Sequence, residues 1–290
     1  MLKLLRLLFR VSNAIIIVAL LIIHFVIKES GFQASLYFYT FPIPIIILIV
    51  LILSIFIKKR KYHLTLAGIL LIVWLGRSFK IHIADDIKET DLEIVFWNAS
   101  HYREFEDVFE ETENIPDVVV LVEYHGELLQ DMILEYPEYY FYKHKTEEIG
   151  VFSTQPIEIL DVLSSKLSTT LINFKTQGIN FYAVDVSASL DVPRAWGLEF
   201  VDKSITQTKN TVVLGDFNVP YESKYLDNVK KRFNHAFTEK GNGFRETWFW
   251  NIPLLSLDHI WVSKDLKILK AKKINTFKSD HSMVKTFIRK

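Results

Sequence analysis

The sequence predicts an α/β sandwich of mixed β-sheets, preceded by helices that cross a membrane. Two observations carry this. Three long apolar runs occupy the first 83 residues, and from Leu92 onward short runs rich in Val, Ile and aromatics alternate with helical stretches. Strands joined by helices in some places and by hairpins in others build mixed sheets with helices outside.

Val11 to Ile27 is almost wholly apolar, with Lys3, Arg6 and Arg10 before it and Lys28 after it. Leu36 to Ile57 approaches the ~20 residues that span a bilayer. Its Pro42 and Pro44 are better tolerated in a membrane helix than in a soluble one. The cationic Lys58-Lys59-Arg60-Lys61 ends it. Leu64 to Gly76 is a third run, extended to Ile81 through Arg77 and Lys80, whose long stems let their charges reach an interface. Buried core helices and a cleaved signal peptide are the competing readings. Against the second, no Ala-x-Ala-like site follows the first run, and another apolar run does.

Both the N-terminus and the tetrabasic loop carry positive charge, which places them on the cytoplasmic side with two crossings between them. A third crossing then puts the rest of the chain outside. If the third run lay in the interface instead, the rest would be cytoplasmic. The expectation is a multi-pass cell-membrane anchor at residues 1–83 and an extracytoplasmic domain at 84–290.

Within that domain the expected strands are Leu92 to Trp97, Asp117 to Glu123, Ile157 to Val162, Ile179 to Val186, Thr211 to Phe217, Leu257 to Val262 and Met283 to Ile288. Expected helices are Glu104 to Glu111, Gly126 to Leu134, Arg194 to Ser204 and Glu222 to Arg232. The 290 residues balance at 34 basic and 34 acidic, but unevenly. Beyond Ala84 about 24 basic face 33 acidic residues, a net charge near −9. Such a domain is poorly suited to tight, sequence-blind binding of a long polyanion. No cysteine is present, which excludes disulfides, zinc–thiolate sites and thiol nucleophiles.

Polar residues recur at the ends of the apolar strands. Asn98 ends the first and Glu123 the second; Asp216 and Asn218 close Thr211 to Phe217, two apart and so on one side of an extended chain. Asp258 opens a strand, and Asp280-His281 precedes the last. Singly, each has a turn-forming or structural explanation. Glu123 is the hardest to explain that way, because a carboxylate at a buried strand end needs a partner or a metal. Together they supply hard oxygen ligands for a divalent cation, a base for water and a proton donor, which is what hydrolysis of a phosphate ester needs.

The segments Ile94-Val95-Phe96-Trp97-Asn98, Leu121-Val122-Glu123, Gly150-Val151-Phe152-Ser153 with Pro156-Ile157, Gly215-Asp216-Phe217-Asn218, Leu257-Asp258-His259-Ile260 and Ser279-Asp280-His281 follow one another in an informative order. In this the chain from about Leu92 resembles the endonuclease/exonuclease/phosphatase superfamily, with its deoxyribonuclease I-like two-sheet sandwich. The apolar leader resembles a membrane-anchored bacterial branch. The resemblance implies a Mg²⁺-dependent phosphoesterase, with Mn²⁺ as the alternative ion. It implies Asn98, Glu123 and Asp280 at the metal and Asp216 orienting or deprotonating the attacking water. Asn218 would bond a phosphate oxygen and His281 sit beside the scissile phosphate, its tautomer fixed by Asp258.

Many members carry a second His on the strand matching Phe181 to Val186, where this chain has Asp185; Val122 replaces the family's Gln before the metal Glu. Either Asp185 carries a proton there, or His101 or His125 substitutes, or catalysis is impaired. A non-catalytic binding module is the rival reading; a purely structural membrane protein leaves the acidic strand ends unexplained. The substrate stays open between nucleic acid, lipid head group and small phosphoester, and no protein partner is expected. Trp248-Phe249-Trp250 reads as core or rim packing ahead of a stacking platform, Arg194 and Arg245 as structural ahead of phosphate-binding, and Gly241-Asn242-Gly243 as a turn.

Overall fold

A computed structural model describes residues 2–112 and 114–290, and divides the chain into two compact units, Met1–Phe79 and Lys80–Lys290. The first unit is helical: α1 (Leu2–Ile22, continued by a wider turn over Ile23–Ile27), α2 (Phe32–Thr40), α3 (Ile43–Ile55) and α4 (Lys61–Ser78). Leu4–Ile27 is long and apolar enough to cross a membrane. α2 and α3 reach that measure only as a pair, bent by 65°. Pro42 caps α3 and Pro44 lies in its first turn, where a missing N–H costs nothing, so the chain breaks there and restarts. α4 is helical as expected but shorter in apolar reach, with Lys61 and Arg77 at its ends. Ile17, Leu20, Ile43, Ile46, Val50, Ala67 and Leu70 pack inside this unit, while Leu4, Leu5, Leu8, Ile15 and Ile72 face outward.

The second unit is built from two six-stranded mixed sheets. Its strands are β1 (Leu92–Asn98), β2 (Val118–Val122), β3 (Tyr140–Lys143), β4 (Ile149–Ser153), β5 (Glu158–Ser164), β6 (Thr170–Thr176), β7 (Ile179–Asp185), β8 (Thr211–Asp216), β9 (Phe233–His235), β10 (Asp258–Ser263), β11 (Lys267–Ile274) and β12 (Met283–Arg289). One sheet has the order β11-β12-β1-β2-β4-β3, the other β9-β10-β8-β7-β6-β5. Among these strands β1–β2 and β7–β8 pair in parallel, and the other neighbours run antiparallel.

The two-residue period of each central strand divides its side chains between two cores. Ile94, Phe96, Val118, Val120, Phe181, Ala183, Val212, Leu214, Ile260 and Val262 meet between the sheets. Val95, Trp97, Val119 and Leu121 face the other way, onto Phe105, Val108 and Phe109 of α5 (Phe105–Thr112) and Met132 of α6 (Leu129–Glu135). Strands buried on both faces read as nearly continuous apolar runs, as these do. The expected strands and helices all appear, within a few residues. Glu222 to Arg232 resolves into a 3₁₀ turn, Lys224–Leu226, followed by a short helix, Asp227–Arg232. β3, β4, β6, β9 and β11 are additional.

The same period decides where the polar strand ends point. Continuing Ile94–Phe96 by two gives Asn98; Phe181–Ala183 gives Asp185; Val212–Leu214 gives Asp216; Val262–Ile260, read backwards, gives Asp258. All four occupy inner-row positions at one end of the sandwich.

Candidate active site

Register places three carboxylates side by side. Asp185 pairs with Asp216 across β7–β8, and Asp216 with Asp258 across β8–β10. Asp216 and Asp258 are buried, and Asp185 is partly so. From the facing sheet, Asn98 Nδ2 donates to Asp216 Oδ2 (3.2 Å) and to Glu123 Oε1 (3.0 Å). The bond to Asp216 crosses between the sheets, and the bond to Glu123 ties Asn98 to the neighbouring strand end.

Glu123 follows β2 in the left-handed region, φ 49°, which L side chains rarely adopt. The His101 N–H bonds its carbonyl at 2.8 Å, and its side chain is 32% exposed, enough for a cation to reach it. Asn218 is also left-handed, φ 51°. Its backbone N–H donates to Asp216 Oδ1 (2.8 Å), and its Nδ2 donates to Val186 O (2.7 Å).

His281 lies opposite the carboxylate row. Its Nδ1 donates to Asp258 Oδ2 at 2.8 Å and stands 4.0 Å from Asp216 Oδ2. Trp97 Nε1 holds its carbonyl (2.9 Å), while Ser279 Oγ ties the turn to Asn98 O (2.9 Å) and accepts the His281 N–H (3.1 Å). With Nδ1 engaged, Nε2 is the ring atom left for a substrate. Asp280 turns to the rim, where its carboxylate accepts Trp248 Nε1 (3.0 Å).

Burial and mutual repulsion set the electrostatics. Asp216 is raised well above the usual carboxylate range, by burial first and by Asp258 next, with His281 opposing. Burial of the His281 ring works against its charge, but attraction to Asp258, their hydrogen bond, Asp216 and Asp280 override it and raise the imidazole to about 10. Burial, then Glu123, Glu148 and Glu147, push Asp185 up to about 7. At this position, where the sequence departs from the family's second His, Asp185 is thus a carboxyl that holds its proton to near neutral pH. Asp258 Oδ1 is buried with no hydrogen-bond partner.

The structure thus brings Asn98, Glu123, Asp216, Asp258 and His281 together, with Asn218 beside Asp216 and Asp280 behind His281. Glu148 escaped the sequence reading, since nothing in Glu147-Glu148 before β4 distinguishes it from a solvated acidic pair. Arg245 is structural: its guanidinium lies over the Tyr221 ring, 4.1 Å from the centroid, and pairs with Glu222. Arg194 donates to the carbonyls of Ser187, Ala188 and Ser189, holding the loop after β7. Trp248 packs against Phe249, and Phe249 and Trp250 are partly exposed at the rim.

Comparison with known proteins agrees with this geometry. The model of the Endonuclease/Exonuclease/phosphatase family matches residues 95–281. No curated protein matches the sequence. Among solved structures, a family protein from Bacteroides thetaiotaomicron superposes with TM-score 0.53 at 16% identity, covering 70% of this chain and 98% of that one. A D. rerio TDP2 humanized by 14 mutations gives 0.52 at 15% identity, covering 70% and 100%. A mannosyl-6-phosphatase from Bacteroides thetaiotaomicron gives 0.51 at 15%, covering 69% and 100%. The chain therefore belongs to the endonuclease/exonuclease/phosphatase family and is a metal-dependent hydrolase of phosphate ester bonds.

Proposed function

We propose that the chain is a membrane-anchored, Mg²⁺-dependent phosphoesterase that hydrolyses a small or lipid-borne phosphate ester by attack of water. Residues 1–83 form a multi-pass anchor, and 84–290 form a catalytic domain on the outer side of the cell membrane. The observation that carries the chemistry is the linked group Glu123–Asn98–Asp216–His281–Asp258, within which every member lies at hydrogen-bond or ion-pair distance of the next. The anchor is supported by the apolar Leu4–Ile27 helix. The positive charge of the N-terminus and of the Lys58 to Lys61 loop favours the cytoplasmic side for both, and the outer placement of the domain takes α4 as a third crossing.

The donor set fits a hard divalent cation. Three carboxylates and an amide crowd one end of the sandwich against a single imidazolium, and Asp258 Oδ1 is buried without a partner, so positive charge is wanting there. Asn98 and Glu123 would hold the ion, with Asp280 lending charge from behind His281. Mn²⁺ accepts the same oxygen donors. When bound, the ion polarises a phosphoryl oxygen and eases deprotonation of water.

The chain's own groups divide the remaining work. Asp216, made proton-hungry by burial, orients the attacking water and takes its proton. Asn218 keeps one Nδ2 hydrogen for a phosphoryl oxygen, since Val186 O takes the other. His281, cationic across the neutral range, donates from Nε2 to the charge building on phosphorus-bound oxygens, and Asp258 fixes its orientation. Asp185 protonates the departing oxygen, the place for an acid whose pKa lies at about 7.

The net charge near −9 beyond Ala84 and the adjoining anchor favour a small or lipid-borne ester over long nucleic acid. The mannosyl-6-phosphatase and the TDP2 solved with a single-stranded DNA product mark the two ends of that range among similar folds. Full-length protein in detergent should hydrolyse at least one of a sugar phosphate, a phospholipid head group in vesicles and a DNA oligonucleotide. Hydrolysis should need Mg²⁺, and it should persist at high salt. No chelator-sensitive hydrolysis of any substrate would end the proposal, and steeply salt-weakened cleavage of DNA alone would replace its substrate.

A further inference from the structure

Beside the carboxylate row, and used by none of the steps above, three more side chains converge. His101 comes from the turn after β1, His125 from the turn after β2, and Glu148 from just before β4. His101 Nδ1 lies 3.0 Å from Glu148 Oε2, and His125 Nε2 lies 3.2 Å from Glu148 Oε1. The two imidazoles stack with centroids 4.9 Å apart. One donor atom from each of the three residues falls within 4.8 Å of the others.

The backbone beneath them is fixed. The His101 N–H bonds Glu123 O (2.8 Å), and the Tyr124 N–H bonds Glu148 O (3.0 Å). His101 itself sits at φ 67°. The side chains above are 42%, 42% and 43% exposed, so an ion can enter from solvent and small rotations suffice to close on it.

Surface ion pairs alone would give this cluster little to do, since such pairs contribute roughly 0–1 kcal/mol each. Its composition says more. Two imidazoles and one carboxylate form the three-ligand set that binds Zn²⁺ with a coordination position left open. An all-oxygen set suits Mg²⁺, whereas imidazole nitrogens select transition ions. The two sets also touch. Glu123 accepts from Asn98 through Oε1, while its Oε2 lies 3.4 Å from His101 Nε2.

We propose that His101, His125 and Glu148 form a second divalent-cation site, selective for an imidazole-seeking transition ion such as Zn²⁺ and coupled to the catalytic row through Glu123. An ion held there stands one carboxylate away from the first. Its binding therefore changes the Mg²⁺ requirement of the enzyme, and Mg²⁺ changes its binding in turn.

The test is Zn²⁺ titration of the full-length protein in detergent, by calorimetry in saturating Mg²⁺, with Co²⁺ absorption as a spectroscopic check. Wild type should bind one Zn²⁺ per chain that His125→Ala and Glu148→Gln each weaken by at least about tenfold. Asp258→Asn, which alters only the other cluster, should retain that ion. Absence of Zn²⁺ binding, binding equal in all four proteins, or loss in Asp258→Asn alone would overturn the second site. Because binding is read directly, the outcome is independent of whether any phosphate ester is hydrolysed.

Discussion

His281 and Asp185 carry opposite consequences of one buried, acidic setting. For His281 the folded value of about 10 exceeds the ordinary 6.5. The stability it contributes is fully present below about pH 6.5 and is lost as pH rises through about 10. The Tm gap between wild type and His281→Asn, measured with chelator, should therefore be widest near pH 6 and narrow by on the order of 5 °C or more toward pH 10. A gap that is constant over that range contradicts the charged Asp258–His281 pair. Asp185 is raised from 3.8 to about 7, so folding favours its protonated form; the stability this costs accrues as pH rises from 3.8 to about 7 and is fully incurred above that. Asp185→Asn should stabilise the metal-free protein at pH 8. It should also lower kcat/KM about 10²-fold on alkyl phosphate esters yet barely affect p-nitrophenyl esters, whose leaving group needs no proton. Equal losses on both would remove it from the leaving-group role.

At the scale of elements, Gly215 shows why the β8 motif reads as it does. A Cβ there would meet Val184 O at 2.0 Å and Val184 Cβ at 2.8 Å, in the strand that aligns Asp185 with Asp216. Gly215→Ala should cost at least about 2 kcal/mol in a denaturant titration and spread that carboxylate row; an unchanged midpoint would contradict the close approach. The central strands were legible because burial on both faces demands continuous Val, Ile and Leu, and their polar ends stood out against that background. Two of the missed strands, β6 and β11, lack this contrast. β11, Lys-Ile-Leu-Lys-Ala-Lys-Lys-Ile, is an edge strand whose lysines guard an open ladder, and they read as a solvated surface. In β6, Asn173 and Lys175 interrupt the apolar run. Of the site, the residues at strand ends were legible. The His101–His125–Glu148 group was not, because three loops bring it together and no strand pattern announces it.

At the scale of the whole molecule, an apolar helical unit and a net-acidic sandwich share one chain. With Leu4–Ile27 as an anchor, the protein should stay with membranes through an alkaline carbonate wash and dissolve only in detergent. Release by carbonate would contradict a spanning helix. The sandwich depends on two sheets meeting so that Asn98, Glu123 and His281 from one face Asp216 and Asp258 from the other. The most direct measurement is a Mg²⁺ titration of phosphate-ester hydrolysis by wild type and Glu123→Ala, each checked for intact folding. A folded Glu123→Ala that is at least about 10³-fold slower at any Mg²⁺ concentration is the expected result. Wild-type rates with unchanged Mg²⁺ dependence would show that Glu123 and the row it faces are not where the chemistry occurs.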